Sequence, residues 1–450
     1  MSTATIARPP GPRNYIPFQA LLQFRKRAPD YLQQLTREYG DVVYFRMGTQ
    51  DIHFVNDPDV IKDVLVTSQT KFRKSRMLQR AKALLGEGLL TSEGATHLRQ
   101  RRLAQPAFHR DRLRNYGQSM VEYAVRSRGR WQDGQTLDVA GEMMRLTLAV
   151  VAKTLFNADV DHEAVDIGES LVVVLGLFET VLLPFSEYLE KLPIPAVKRF
   201  ERARSRLDQT IYRIIAERRK SPGDHGDLLS MLLMAQDEDG SGGMSDVQVR
   251  DEALTIFLAG HETTAVALTW TLYLLSQNPE IEARLHCELD KALGGRLPTV
   301  EDLPALKYVE QVFAEGMRLY PPAWAIGRMV TERYVMPTAE KWELEPGSIV
   351  LMSPYVTHRD ARYFEEPEKF DPDRWLPERA DQRPKFSFFP FGGGTRVCIG
   401  ERFAWMEGVL LLAVIAQRWK FKLAPDQVVE KRALLTLRPK HGMRMQVEAR

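Results

Sequence analysis

Two segments of the sequence combine residue types that bind metals or move protons. The first reads Phe391-Gly-Gly-Gly-Thr-Arg-Val-Cys-Ile-Gly400, and its glycines allow the backbone to approach a ligand closely or to adopt positive φ. Cys398 precedes a helix predicted from Glu401, whose free N–H groups stabilise a thiolate. Such a thiolate is a metal ligand or a nucleophile. A phosphate loop is excluded because no Gly-Lys-Ser/Thr follows, and a zinc site because no second Cys or nearby His has ligand spacing.

The second segment lies at the centre of the longest predicted helix, residues 245–277. Ser245 and Gln248 form a capping box, and Asn278-Pro279 ends a helix of roughly 48 Å. Its middle is apolar nearly all round, which indicates burial on every side. Residues 260–264, Gly-His-Glu-Thr-Thr, interrupt this apolar stretch. Because buried polar groups cost free energy unless they are paired, their presence there favours a functional role.

The surrounding elements are predominantly helical. A Pro-rich lead of about 15 residues precedes a helix over 28–39 and a β-hairpin over 42–55. Helical patterns fill most of 97–290, with a short helix between two Gly-containing linkers at 221 and 237. Helices, Pro- and Gly-rich loops and a few strands make up the last third. Length would allow about three domains, but no clean break divides the sequence, so we predict a single domain, 1–450.

Composition narrows the class of protein. The 450 residues include 62 Lys and Arg against 59 Asp and Glu, and this near balance does not favour a nucleic-acid binder. A hydrophobic content of 44% excludes wholesale disorder, and two cysteines exclude a disulfide scaffold. The longest apolar stretch, 171–183, contains Glu179 and is too short to cross a bilayer. We therefore expect a cytoplasmic protein without a membrane anchor.

The cysteine segment is similar to the signature of a known family. Phe391, Gly394, Arg396, Cys398 and Gly400 match F-x-x-G-x-R-x-C-x-G, the haem-thiolate signature of the cytochrome P450 monooxygenases. The resemblance implies a mainly α fold with small β-sheets and a long central helix crossing a haem sandwiched between helices. It also implies that the Cys398 thiolate is the axial ligand of the iron of heme b, where it favours O–O cleavage.

Cys287 has no comparable context. It lies in a helical stretch, and we expect it to be a buried small hydrophobe.

Other segments resemble the same family. Residues 259–264 resemble its oxygen-activation motif, A-G-x-[DE]-T-T, which implies that Ala259 contacts the cofactor and that Glu262 and Thr263 relay protons during O2 activation. Glu315 and Arg318 resemble its E-x-x-R motif. With Arg374 they would form a buried structural network. The resemblance also assigns cations to the haem propionates, namely His97, Arg101, Arg328 and Arg396. It further implies that Phe391 and Gly400 contact the cofactor.

The same resemblance implies a substrate pocket of apolar and small residues. Its predicted lining comprises Leu84, Leu85, Leu89, Leu90, the stretch 171–183, Ile256, Phe257, Ala323, Ile326 and Leu437. The substrate is therefore expected to be a small hydrophobe such as a fatty acid, terpenoid or steroid.

Electrons must come from a separate protein, because 450 residues leave no room for a fused reductase. We expect them to pass from NAD(P)H through a reductase and a ferredoxin or flavodoxin to a monomeric enzyme. Six arginines between Arg99 and Arg114, opposed in sequence by Asp111, form a basic stretch that charge alone would assign to a solvated face. The resemblance places this stretch beside the haem, which implies that an acidic partner docks on it, with Arg99 and Arg102 facing outward.

Two alternatives are weaker than an O2-activating monooxygenase. A peroxide-dependent or isomerising relative typically lacks the acid–alcohol pair that Glu262 and Thr263 provide. A haem-based gas sensor has no need of a proton relay, and no output domain is visible.

Overall fold

A helix of 31 residues, Asp246–Ser276, dominates the fold. The computed structural model describes residues 8–13, 19–157, 170, 195–236 and 242–450. Ser245 caps the helix: its side chain accepts from the Gln248 N–H, while the Gln248 side chain accepts from the Ser245 N–H. Nearly every side chain from Val249 to Leu272 is buried, as the apolar pattern predicted. The predicted helix, its cap and its burial are confirmed.

The elements of the described residues are numbered in chain order. The helices are α1 Gln19–Tyr39, α2 Pro58–Lys62, α3 Arg76–Arg80, α4 Lys82–Leu85, α5 Gly94–Ala104, α6 Arg110–Arg128, α7 Val139–Phe156, α8 Pro195–Lys220, α9 Leu228–Met234, α10 Asp246–Ser276, α11 Pro279–Leu293, α12 Lys307–Leu319, α13 Pro354–Thr357, α14 Pro377–Ala380 and α15 Glu401–Ala416. The strands are β1 Val42–Met47, β2 Gln50–Val55, β3 Phe72–Lys74, β4 Thr136–Asp138, β5 Ile326–Val330, β6 Tyr334–Val335, β7 Glu343–Leu344, β8 Ile349–Met352, β9 Trp419–Leu423, β10 Lys431–Ala433, β11 Leu437–Pro439 and β12 Arg444–Ala449.

The chain forms two compact units, each built from two separate stretches. The first unit contains Met1–Gln79 and Met317–Cys398. Its main sheet has the strand order β1-β2-β8-β5-β3, in which β2 and β8 are parallel and the other pairs are antiparallel. The predicted hairpin over 42–55 is confirmed as β1 and β2, with Val42 opposite Val55. The apolar core of this unit includes Val55, Ile61, Phe72, Val350 and Phe389.

The second unit contains Arg80–Gly316 and Ile399–Arg450. In it, α10 packs along α7 and also contacts α8 and α15, while α15 packs on α6. Residues 406–416 of α15 are all buried, and Gly408 makes room for the Phe313 ring, because an added Cβ would lie 2.2 Å from it. Two small sheets, β4-β12-β9 and β10-β11, complete this unit. The predicted fold class, mainly α with small β-sheets, is confirmed.

Proline explains where the first helix departs from its predicted start. The pattern predicted a helix from Ala28, whereas α1 begins at Gln19 and breaks at Arg27, where φ is −153° and ψ is 48°. Pro29 has no N–H to donate and its ring disfavours a continuous helix across this point. Ala28 is therefore the first residue of the second helical segment.

No helix among the described residues is long and apolar enough to cross a membrane. The predicted single domain over 1–450 stays a prediction.

Candidate active site

The cysteine segment forms a tight loop in the first unit. The Cys398 N–H donates to the Phe391 carbonyl at 3.0 Å, and the Val397 N–H donates to the Gly394 carbonyl at 3.1 Å. Gly394 has φ +68°, and an added Cβ would lie 1.9 Å from the Leu65 carbonyl oxygen. A glycine is therefore required at this position. The Cys398 thiol is exposed, and the helix α15 begins three residues later.

Two side chains from distant parts of the sequence hold this loop. The Gln69 Oε1 accepts both from the Thr395 N–H at 3.0 Å and from the Thr395 hydroxyl at 2.8 Å. The fully buried His358 accepts from the Phe389 N–H through Nε2 at 3.0 Å. Burial lowers the pKa of His358 well below its ordinary value, so that the ring stays neutral and Nε2 remains an acceptor. The sequence contained no signal for either contact.

The arginines of the predicted structural network support the segment that leads to the loop. Arg318 has no exposed surface and donates to the carbonyls of His358, Pro367 and Lys369 at 2.7–3.0 Å. Arg374 is also buried and donates to the Glu366 carbonyl at 2.9 Å. These two side chains therefore satisfy backbone acceptors in a stretch with little regular structure.

Glu315, the third predicted member, lies one turn before Arg318 on α12 and is fully buried.

Between Val249 and Leu272, the accessible surface of α10, in the second unit, lies at the centre of the helix. Ala259 is exposed and Gly260 and Thr263 are half-buried, whereas their neighbours from Val249 to Leu272 are buried. The Thr263 hydroxyl donates to the Ala259 carbonyl at 2.8 Å, one turn earlier. Gly260 also lets α7 approach, because an added Cβ would lie 3.2 Å from Val151. The accessible residues of this stretch therefore have small or hydroxyl side chains.

Glu262 points into a buried ionic contact. Its Oε1 accepts from the Thr436 hydroxyl and from the Arg438 Nε at 2.7 Å, and Arg438 forms a salt bridge with it. Its other oxygen, Oε2, is buried without a hydrogen-bond partner among the described residues. Thr436 and Arg438 were missed by the sequence analysis, because they lie more than 170 residues away in the chain.

His261, beside Glu262 in the sequence, is a packing residue. Its Nδ1 donates to the Phe257 carbonyl at 3.0 Å, and burial lowers its pKa. The Thr147 hydroxyl on α7 donates to the His261 carbonyl at 2.8 Å.

A second buried acid lies on α15. Glu407 has no exposed surface, and among the described residues neither of its carboxyl oxygens makes a hydrogen bond of good geometry, although the Thr264 hydroxyl on α10 lies near enough to act on its pKa. Burial raises the pKa of Glu407 to about 8, and the contact with Thr264 only partly opposes this effect. A single acid in the otherwise apolar run of α15 was the sequence signal that could have revealed it.

Comparisons with known proteins identify the family to which this arrangement belongs. The family model described as Cytochrome P450 matches residues 9–445. The chain belongs to the cytochrome P450 family. It is 42% identical over 421 residues to cyclooctatin synthase of Streptomyces melanosporofaciens, covering 93% of this chain and 90% of that protein.

Two further relatives are similar over most of their length. Cyclooctat-9-en-7-ol 5-monooxygenase of the same organism is 37% identical, with 86% of this chain and 84% of the relative covered. Pentalenene oxygenase of Streptomyces avermitilis is 35% identical, with 94% of each chain covered. The chain is a cytochrome P450 monooxygenase, which uses a haem, O2 and electrons derived from NAD(P)H through partner proteins.

The residues of this P450 fit a haem with a thiolate ligand. In the first unit, an exposed thiol stands on a tight loop whose glycines pack against Leu65 and Phe386. In the second unit, the small or hydroxyl residues Ala259, Gly260 and Thr263 are the accessible ones between Val249 and Leu272 of α10. A thiol donor and a small-residue face are the features that the family chemistry requires.

The cations predicted for the propionates lie on both units. Arg328 is a half-buried residue of β5, opposite Val350 and Lys74, and Arg396 is half-buried in the cysteine loop. His97 is buried on α5, and Arg101 follows one turn later and is half-buried. The other predicted cofactor contacts are Phe391, half-buried in the loop, and Gly400, which precedes α15.

The predicted pocket residues differ in exposure. Leu84, Leu85, Leu89, Ile256 and Phe257 are buried, and Leu90, Ala323 and Ile326 are half-buried. Leu437 is fully buried, and its carbonyl accepts from the Trp270 indole N–H at 2.7 Å. The predicted stretch 171–183 lies outside the described residues. The pocket as a whole stays a prediction.

The prediction for Cys287 is wrong. The thiol is exposed on α11, because the buried face of this helix is formed by Leu285, His286, Leu289 and Leu293. His286, and not Cys287, lies on the buried face of the helix. Burial lowers the pKa of His286 to about 4.

Proposed function

We propose that this P450 hydroxylates a cyclic terpenoid, either a hydrocarbon or its monoalcohol. The similarity to cyclooctat-9-en-7-ol 5-monooxygenase and pentalenene oxygenase over most of the chain carries this proposal, because both names denote oxidation of a polycyclic alkene skeleton. The apolar character of the predicted pocket agrees with it. A terpenoid is thereby favoured over the fatty acids and steroids that the sequence also allowed.

The proposal assigns the chemistry to two clusters. When bound, the haem activates O2, and the Cys398 thiolate would hold its iron. His97, Arg101, Arg328 and Arg396 would neutralise the propionates, and the exposed Ala259 would leave room beside α10. Phe391 and Gly400 would contact the cofactor from the cysteine segment.

Thr263 and Glu262 would move protons during oxygen activation. Since the Thr263 hydroxyl donates to the Ala259 carbonyl, its oxygen lone pairs are left to accept a hydrogen bond from water at the accessible face of α10. Arg438 and Thr436 occupy Oε1 of the Glu262 side chain, while Oε2 retains acceptor capacity. We assign Glu262 the role of receiving and returning protons, and Thr263 the role of holding one at Oγ1.

A panel of ligands tests the substrate class. Titrations of the haem-loaded enzyme with cyclic terpene hydrocarbons, terpene alcohols, fatty acids and steroids would be followed by the change in the Soret band. We expect dissociation constants at least tenfold lower for cyclic terpenoids, and products that carry one oxygen atom from labelled O2. Tighter binding and turnover of a fatty acid or a steroid would refute the assignment.

We also propose that an acidic ferredoxin or flavodoxin docks on a basic surface formed by Arg99, Arg102 and Arg110. Arg102 and Arg110 are exposed, and the contact of Arg99 with the Gly243 carbonyl is at the surface. Arg112 and Arg114 contribute less charge than the sequence suggested, because Asp224 and Glu301 form ion pairs with them. We further propose that the enzyme is a monomer and that it is located in the cytoplasm.

Electron-transfer kinetics test the docking surface. We expect the first-electron rate from an acidic ferredoxin to fall with rising salt, and to fall in the Arg99→Glu/Arg102→Glu variant at low salt. Arg213→Glu on α8, which changes an exposed cation of a local ion pair, is the matched control. The control should keep the wild-type rate. If the rate also depends neither on salt nor on the Arg99→Glu/Arg102→Glu change, the partner docks elsewhere.

A further inference from the structure

The loop over 86–92 is bound through its backbone to two acids of the central helix. The Glu87 N–H donates to Asp251 Oδ2 at 2.8 Å, and the Leu89 N–H donates to Glu252 Oε2 at 3.0 Å. Glu252 has no exposed surface, and Asp251 is 6% exposed. Both carboxylates are therefore used, inside the second unit, to fix a loop that carries two of the predicted pocket leucines.

The orientation of the Asp251 carboxylate is set by Arg250, which contacts the oxygen that does not face the loop. Its Oδ1 accepts from Arg250 Nη1 at 2.8 Å, and Arg250 Nε donates to Asp208 on α8 at 2.7 Å. The Arg250 side chain is 5% exposed. Because a carboxylate held by a buried guanidinium cannot rotate without losing that contact, Oδ2 stays directed at the loop.

Glycines let the loop lie directly on α10. Gly86 has φ +57°, and an added Cβ would lie 2.0 Å from Asp251 Oδ2. At Gly88 it would lie 2.2 Å from Thr255 Oγ1 and 2.6 Å from the Asp251 carbonyl oxygen. A side chain at either position would push the loop away from the helix.

Further hydrogen bonds close the loop on itself and on α5. The Thr91 hydroxyl donates to the Gly86 carbonyl at 2.7 Å, and Gln100 Nε2 donates to the Glu87 carbonyl at 2.6 Å. Opening the loop would break these bonds and would deprive the buried Glu252 of a donor. Hydrogen bonds to charged acceptors are the stronger ones, and a buried charge that loses its donor is costly.

We propose that Asp251 and Glu252 are positioning residues that set the size selectivity of the pocket by fixing loop 86–92. The inference rests on the proposed function, since it takes Leu89 and Leu90 to be part of the predicted pocket in which the terpenoid binds. The loop forms a wall that is complete before the ligand arrives. A loop held in this position leaves room in the pocket for small ligands, whereas a bulky ligand binds only if its shape fits beside the loop.

Four variants test the clamp formed by Asp251 and Glu252. Glu252→Met keeps the length of the side chain but removes the acceptor, and Glu252→Gln keeps an acceptor. Gly88→Ala leaves both acids intact and displaces the loop. Glu87→Ala is the matched control, because it removes an exposed side chain from the same loop and keeps the backbone bonds.

Hydrogen exchange of a peptide spanning 84–92 in the haem-loaded enzyme gives the first readout. We expect exchange roughly 10- to 100-fold faster in Glu252→Met and Gly88→Ala, as for the loss of one hydrogen bond to a charged group. Glu87→Ala should exchange like the wild type, and Glu252→Gln should lie between the wild type and Glu252→Met, because its neutral oxygen is a weaker acceptor. Unchanged exchange in both disruptive variants would overturn the proposal, and Gly88→Ala decides alone if Glu252→Met does not load haem.

The second readout is the ratio of dissociation constants for imidazole and 4-phenylimidazole. We expect the disruptive variants to favour the larger probe at least tenfold more than the wild type does. Faster exchange with an unchanged ratio would overturn the selectivity role. These probes do not depend on the natural substrate. If cyclic terpenoids do not bind more tightly than fatty acids and steroids, but both readouts change as expected, the proposed substrate class is refuted. The positioning role of Asp251 and Glu252 is then still supported.

Discussion

Replacing Glu407 by glutamine should change how the stability of the enzyme depends on pH. The carboxyl of Glu407 lies on α15 without exposed surface, and burial raises its pKa to about 8 from an ordinary value of 4.5. Between these two values the folded protein keeps a proton that the unfolded chain has released. Stability therefore falls as pH rises through this window and becomes constant above it. A glutamine side chain is neutral at every pH, so this contribution disappears in the Glu407→Gln variant.

The size of the effect follows from the two pKa values. At about 1.4 kcal/mol per pH unit, the full window corresponds to roughly 5 kcal/mol, and the part between pH 5 and pH 8 to roughly 4 kcal/mol. An unfolding entropy of about 2.1 cal/mol/K per residue gives a chain of this length ~0.9 kcal/mol/K. For a single cooperative transition, the gain of the variant over the wild type should therefore grow by roughly 4 °C between pH 5 and pH 8.

Scanning calorimetry at several pH values between 5 and 8 measures this difference. All other titrating groups are shared by the two proteins, so their contributions cancel in the comparison. Glu122→Gln on α6, which removes an exposed carboxylate, should keep a constant difference from the wild type. If the midpoints of Glu407→Gln and the wild type run parallel over this range, Glu407 ionises at its ordinary pH and the reasoning is refuted.

The remaining predictions concern the cysteine loop and the central helix. Cys398→Ala should abolish the red-shifted Soret band of thiolate ligation in the reduced carbonyl complex, and retention of that band would contradict the assignment; Cys287→Ala should keep it. Gln69→Leu removes the acceptor of two hydrogen bonds, worth about 2 kcal/mol in all, and should lower the temperature at which this Soret band disappears. Gln69→Glu keeps an acceptor and should return that temperature to the wild-type value. If both variants lose the band at the same lowered temperature, the acceptor is not what holds the loop. Thr263→Ala should bind haem and substrate but release more peroxide per NAD(P)H oxidised, and unchanged coupling to product would refute the proton role. Arg438→Leu leaves a buried carboxylate without its cation and should cost about 3–5 kcal/mol, measured as a lower thermal midpoint; an unchanged midpoint would contradict this expectation.

Local signals accounted for the elements that carry the candidate site. The capping box at Ser245 and the stop at Pro279 located α10 to within a residue at each end, because both depend on neighbours a few positions away. The glycines around Cys398 likewise indicated a tight loop before a helix. Such features follow from short-range backbone geometry, which a single sequence contains.

Long-range contacts were beyond the reach of the same reasoning. Gln69 and His358 hold the cysteine loop from 326 and 31 residues away, and neither has a distinctive neighbourhood in the sequence. The assignment of Cys287 to the interior failed because it was based on the hydrophobic character of a free cysteine. That character does not show which face of the helix the residue lies on. Which face of α11 is buried depends on tertiary packing, and His286 occupies that face instead.

The guanidinium of Arg318 also constrains the order of events during synthesis. Its acceptors are 40, 49 and 51 residues further along the chain, and it has no exposed surface. On the ribosome it must stay hydrated until residue 369 has emerged, because burying an unpaired charge is prohibitively costly. The strand β2 waits far longer for its parallel partner β8, because Ile52 pairs with Ile349. The first unit therefore matures only when translation is nearly complete, shortly before Cys398 itself leaves the exit tunnel. Because Cys398 lies 29 residues beyond Lys369, the thiol expected to hold the haem iron emerges only after the last acceptor of Arg318 has been made.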